Sequence, residues 1–265
     1  RQTLFLHLHE VEINRGCGNR PCKMCCYNTP KYQGSLEFTA IQSIHAQMEQ
    51  VYSRISFVHF KKGDPLYYSS QGANYANVLE DAHQHHLINV STNTHGFLVG
   101  ESLPQQAAEQ IVTWAKKYEI EPMINFCLDP YGYQGISSHD HEEGIKQSIE
   151  ILAPVCKEIW AFQNPDDVNG GDLAAIKRLV DRTIPQELHK LVKYDEILLA
   201  GRARNLPKPP SLTTMPLTST GYLIGHDGTI LYTPEPGAKS IKVGNIFTKI
   251  QAPLPYPIPK APFFD

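Results

Sequence analysis

The sequence predicts an α/β protein: a partial, open (β/α)6 barrel over residues 1–201, followed by an irregular proline-rich cap over residues 202–265 that carries a β-hairpin. Two observations predict it. Strand-like apolar runs and helix-periodic segments alternate six times between residues 3 and 201, as parallel strands joined by crossover helices do. Beyond Gly201 helical periodicity stops and prolines crowd the chain, at Pro207, Pro209, Pro210 and Pro216 and again at Pro253, Pro255, Pro257 and Pro259. Six repeats fall short of a closed eight-stranded barrel of about 250 residues, so an open TIM-like arc is expected, with a doubly wound sheet as runner-up.

Each element follows from its residues. TLFLHLHEVEI, residues 3–13, alternates as a strand with Leu4, Leu6 and Leu8 on one face. Ser35 is placed to cap a helix reaching about Tyr52, in which Phe38, Ile41, Ile44 and Met48 recur at helical spacing. RISFVHF then reads as a buried strand that ends in KKGDP. A helix over 73–83 leads to the strand LINVSTN, and one over 102–117 leads to PMINFCLDP. Helices over 138–155 and 172–182 precede the strands EIWAFQ and EILLAG. In the cap, GYLIGHDGTILYT is a hairpin with Asp227 and Gly228 at its turn.

Composition narrows the function. The 265 residues, 41% hydrophobic, are enough to bury a large core. A net charge of -3 with interspersed signs leaves no basic stripe for nucleic acid. No apolar run approaches the roughly 18 residues of a membrane span, and the first residues lack a secretory pattern, so a cytoplasmic protein without a membrane partner is expected. Cys127 and Cys156 stand alone in apolar surroundings, as buried thiols do. His83, His85 and His86 fall at a helix end, where cationic histidine complements the dipole.

The chemistry concentrates in RGCGNRPCKMCC, which holds four of the six cysteines. Cys17, Cys22 and Cys25 form C-x4-C-x2-C on a loop at the carboxyl end of the first strand, where parallel barrels place their chemistry. Three thiolates on short spacers suit a cubane iron-sulfur cluster with one iron left open. Zinc is the alternative and needs a fourth ligand from Cys26, His7 or His9; inert thiols are the third reading.

The stretch LHLHEVEINRGCGNRPCKMC resembles the opening of radical S-adenosylmethionine (radical SAM) enzymes, with one extra residue between Cys17 and Cys22 and Met24 at an aromatic's place. Further similarities follow in order along the chain. KKGDP resembles the family's G-G-E-P stretch, which gives Gly63 and Asp64 a role at the amino group of S-adenosylmethionine (SAM). NVSTNTHGFLV resembles a TNG strand ending and brings in Asn93. NFCLDPYGYQGISSHDHEEG resembles SLDG with a following His-Asp pair, through Asp129, His139 and Asp140. The hairpin resembles the carboxyl-terminal region of peptide-modifying members that bind auxiliary clusters, but no cysteine remains there, so a single cluster is implied.

The resemblance implies one 4Fe-4S cluster on Cys17, Cys22 and Cys25 and a SAM site that includes Met24, Gly63, Asp64, Asn93, Asn125, Asp129 and Gln163. It implies one-electron cleavage of SAM and removal of hydrogen from a substrate, with the electron supplied by a flavodoxin or ferredoxin. Glu10, Glu12, Tyr131, Tyr133 and Arg202 are candidates for the substrate pocket. The expected substrate is a ribosomally made precursor peptide, with excision of a tyrosine-derived fragment as one outcome. A separate leader-recognition protein is then required, because barrel and cap use the whole chain. A free metabolite is the alternative substrate, and a non-catalytic iron-sulfur or zinc protein the alternative class.

Overall fold

Alternating strands and helices bury one sheet face under the helices, and this fixes which residues must be apolar. The computed structural model describes residues 7–18, 22–25, 29–51, 56–60, 63–87, 89–164, 170–197, 201–206, 221–225, 227–233, 239 and 241–245. Its strands are β1 (His7–Val11), β2 (Ser56–Phe60), β3 (Asn89–Thr94), β4 (Ile124–Leu128), β5 (Cys156–Gln163) and β6 (Val192–Glu196). Between them run α1 (Phe38–Val51), α2 (Tyr75–Gln84), α3 (Ser102–Lys117), α4 (Ser138–Leu152) and α5 (Gly171–Thr183).

These six strands lie in chain order and all pair in parallel. Over these six strands the order has no reversal, as in a partial barrel. Three more strands extend the first edge: β7 (Gly221–Ile224) pairs in parallel with β1, and β8 (Thr229–Thr233) and β9 (Ile241–Asn245) follow antiparallel. The hairpin is therefore continuous with the main sheet, and β9 is a third strand that the sequence reading did not contain. Asp227 accepts from the Thr229 amide at 2.9 Å and Gly228 takes φ 78°, the turn chemistry expected of those two residues.

One face of the wall is apolar, with Val11, Phe60, Ile124, Phe126, Leu128, Ile159 and Ala161 buried. The helices meet it with Val78, Leu79 and Ala82, with Ala107, Ala108 and Ile111, with Ile145 and Ile149, and with Ile176, Leu179 and Val180. Between α1 and α2 the wholly buried His45 places Nδ1 2.6 Å from Asp81 Oδ2. Burial holds its pKa below the ordinary imidazole value, so the neutral ring donates through Nδ1. Among the described residues no helix is long and apolar enough to cross a membrane.

Three local expectations need correction. Ser35 does not cap α1: its hydroxyl donates to Asn14 Oδ1 and accepts from the Ser69 amide, while Gln71 Oε1 takes the Thr39 amide near the helix start. The sixth described strand is VKYDE, and of the run EILLAG residues 198–200 lie outside the described residues. An edge strand needs backbone pairing with β5 more than apolar side chains, and Ile197 instead packs with Met24, Ala203 and Leu206. The His139-Asp140 pair lies exposed on the first turn of α4, where Ser137 Oγ caps the Asp140 amide at 3.1 Å. The prolines of the cap lie outside the described residues.

Candidate functional site

The chain leaves β1 into a loop that folds back along itself. The Arg15 amide bonds Gly34 O, the Cys17 amide bonds Pro30 O and the Tyr32 amide bonds Gly18 O, at 2.9 to 3.1 Å. Such pairing requires the two arms to touch at Gly16, where φ is 108° and a Cβ would fall 2.2 Å from Lys31 O. Gly63 closes on the same point from the end of β2: its φ is 105° and a Cβ there would meet Gly16 O at 2.3 Å. Asn14 ties the two segments together by donating to the Asp64 carbonyl at 2.8 Å.

A second anchor comes from the turn after β4. Cys22 forms a backbone bridge with Tyr133, and the Lys23 amide donates to Gly132 O at 3.1 Å. Asp129 shapes that turn by accepting the Tyr131 and Gly132 amides, both at 2.8 Å. Asp64 works similarly after β2, accepting from the Leu66 amide, the Thr94 hydroxyl and the His95 amide. Asp64 is thus a splint between two strand ends, whereas Asp129 fixes its own turn.

Burial pushes Asp64 and Asp129 each up to about 6, against the hydrogen bonds that pull them down. Both folded values exceed that of an unstructured aspartate, so their stabilisation is full below about pH 4 and is lost as pH rises toward 6. A rise of that size corresponds to about 3 kcal/mol per carboxyl. Asp129→Asn is therefore expected to reduce the difference in urea midpoint between about pH 4 and pH 7 relative to the parent protein. An unchanged difference would count against a raised Asp129.

These contacts enclose a pocket of about 330 Å³, counted with the solvent at its mouth, lined by Cys17, Cys22, Asp64, Tyr67, Glu101 and Tyr133, with His95 at its wall. Burial raises the Cys22 thiol well above its ordinary value, and the charges of Asp129, Cys17 and Cys25 push it the same way. Cys25 Sγ receives the Thr29 amide at 3.4 Å and lies 3.6 Å from Thr29 Oγ1. His95 is held to about 4 by burial and then by His141, so its ring is neutral. The Tyr133 hydroxyl donates to His95 O at 3.3 Å, and its ring meets His141 edge-on at 5.2 Å.

Among the described residues no three His, Cys, Asp or Glu side chains could hold a single metal. A single zinc needs ligands converging within about 2.3 Å of one centre, whereas a cubane takes its thiolates on separate irons. The side chains of His7, His9 and Cys26, the proposed fourth zinc ligands, lie outside the described residues.

Met24, Asn93, Asn125, Asp129 and Gln163 are not among the residues that line this pocket. Asn125 Nδ2 donates to Asn93 Oδ1 at 3.0 Å and to Ser91 Oγ at 3.3 Å, on the face of the wall away from the helices. Met24 is buried with Ile197, Ala203 and Leu206 against Tyr131 and Phe162. The Tyr131 hydroxyl donates to Asp172 at 2.6 Å, a packing role. Gln163, half-buried at the end of β5, takes the Ile197 amide on its carbonyl. Glu12 donates its amide to Ile224 O at 2.9 Å, and Glu10 is buried on β1. The Arg202 side chain lies outside the described residues. Sequence reasoning missed Tyr67, His95, Glu101 and His141. The residues DPLYY and THG adjoin motifs that it did single out, and that adjacency was the available signal.

No protein-family model matches the chain, and no curated protein does. Solved structures do match. A histidine-tagged anSMEcpe with bound AdoMet superposes with a TM-score of 0.58 at 11% identity, covering 93% of this chain and 79% of that one. Native anSMEcpe with bound AdoMet and Cp18Cys peptide gives 0.58 at 12% identity, covering 92% and 78%. The chain shares its fold with anSMEcpe. At this identity the likeness concerns fold alone, and the site must be argued from its own residues. In this fold the cysteine loop, Asp64, His95 and Tyr133 all follow the carboxyl ends of parallel strands.

Proposed function

We propose that the chain is a radical SAM enzyme that holds one 4Fe-4S cluster on Cys17, Cys22 and Cys25 and modifies a precursor peptide. The observation that carries this is the meeting of Cys17 and Cys22 in one pocket at the strand ends, with Cys25 close enough to act on the Cys22 thiol. Bound by these cysteines, such a cluster would supply the one-electron chemistry for reductive cleavage of SAM and removal of a substrate hydrogen.

The chain's own residues bind, orient and shield. The doubled-back loop fixes the cysteines, Asp64 ties the ends of β2 and β3 together beside it, and Asp129 shapes the turn that receives the Lys23 amide. Gly63 lets the end of β2 approach the loop and carries the proposed SAM amino contact together with Asp64. The Asn93-Asn125 pair offers polar atoms on the inner face. Residues 1–201 form the proposed partial barrel, and residues 202–265 the segment that shields its mouth from water.

A peptide substrate is supported by analogy with anSMEcpe, whose structure holds a peptide. An electron donor such as flavodoxin or ferredoxin and a separate leader-recognition protein complete the proposal. Protein reconstituted anaerobically with iron and sulfide, then given SAM and dithionite, is expected to release 5'-deoxyadenosine. Iron-loaded protein that releases none would make this an electron carrier and overturn the enzyme assignment. Release that rises with a co-encoded peptide favours the peptide substrate; release that rises only with a metabolite overturns it.

A further inference from the structure

Tyr67 and Glu101 belong to none of the motifs around the cysteine loop, yet both line its pocket. Glu101 occupies the N-cap position of α3 but makes no capping bond there. Its Oε2 instead accepts the Leu98 amide at 2.9 Å and the Tyr67 hydroxyl. A carboxylate in that position ordinarily serves its own helix's amides; here it is held at the pocket wall. The phenol end of Tyr67 abuts the cysteine loop, because a Cβ on Gly18 would lie 2.6 Å from Tyr67 Cζ. The contacts thus run from Glu101 through Tyr67 to Gly18, between Cys17 and Cys22.

We propose that Glu101, held in place by Tyr67, is a positioned charge that sets the reduction potential of the cluster bound in this pocket. The inference rests on the reading of Cys17, Cys22 and Cys25 as cluster ligands. Adding an electron beside a fixed anion in a poorly hydrated pocket is opposed by Coulomb repulsion, which lowers the potential. Tyr67 keeps that anion from turning to solvent and shares its proton with it.

The test is a redox titration of the reconstituted protein followed by electron paramagnetic resonance, with iron content measured on each sample. Glu101→Gln keeps an acceptor for Leu98 and Tyr67 while removing the charge. Its reduction is expected to become about tenfold more favourable, which for one electron is about 59 mV upward, at unchanged iron content. Glu109→Gln, exposed on α3 and bonded to Gln105, is expected to leave the potential where it was. A Glu101→Gln potential equal to that of the parent overturns the proposal. If that variant does not load iron, Tyr67→Phe carries the test: without the hydroxyl the carboxylate turns to solvent, its field in the pocket weakens and the potential rises, and no rise overturns the proposal. A parent protein that binds no iron overturns the ligand assignment itself, so the two failures are distinct.

Discussion

Cys22→Ala is expected to leave a folded protein that has lost its iron. After reconstitution the parent should hold about four iron atoms per chain and the variant none above background, with release of 5'-deoxyadenosine abolished. The effect is large because Cys22 is buried at the pocket, bridged to Tyr133 and flanked by Cys17 and Cys25, so no other described thiol can replace it. The fold survives because the bridge to Tyr133 is made by backbone atoms. Cys156→Ala is the control: that thiol, which burial pushes up to about 11, lies at the start of β5 against backbone of its own strand and of β4, so full iron is expected. Full iron in Cys22→Ala, measured beside this control, would remove Cys22 from the ligand set.

Gly16→Ala is expected to destabilise the protein by about 2–5 kcal/mol, from a left-handed backbone and overlap with rigid neighbours. At φ 108° its Cβ would meet Lys31 O at 2.2 Å and Tyr32 Cα at 2.8 Å, all backbone atoms that cannot rotate away. Parting the loop's arms also moves Cys17, so iron loading should fall with stability. Gly34→Ala separates the two causes. Its φ is 122° but nothing lies within 4 Å of a Cβ there, so the strained backbone alone should cost about 1–2 kcal/mol. Chemical denaturation of the three proteins reads the difference, and equal losses for the two variants would contradict the close approach at Gly16.

Much of the wall was legible in the sequence because periodicity is a local property. The helix read over 102–117 has those bounds in the structure, and the strands around Phe60 and Phe126 lie where their apolar runs fall. Reading failed where a residue's role depends on a distant partner. Ser35 looked like a helix cap but bonds Asn14 and Ser69. The polar run VKYDE carried no apolar strand signal, yet β5 pairs with it. His139 and Asp140 matched the His-Asp pair of a motif and are a solvent-exposed helix start, whereas the neighbouring His141 packs on Tyr133.

By itself, then, the sequence determined the alternation of strands and helices, the apolar faces and the three cysteines at C-x4-C-x2-C, since each is written within a few consecutive residues. Only the tertiary structure decided that Tyr67 and Glu101 join the cysteines, that Asp64 ties two strand ends together beside the loop while Asp129 shapes the turn that receives the Lys23 amide, and that the hairpin continues the β1 edge. The physical reason is that strand order and register carry those residues to one end of the sheet. The spacing between them along the chain holds no trace of that approach.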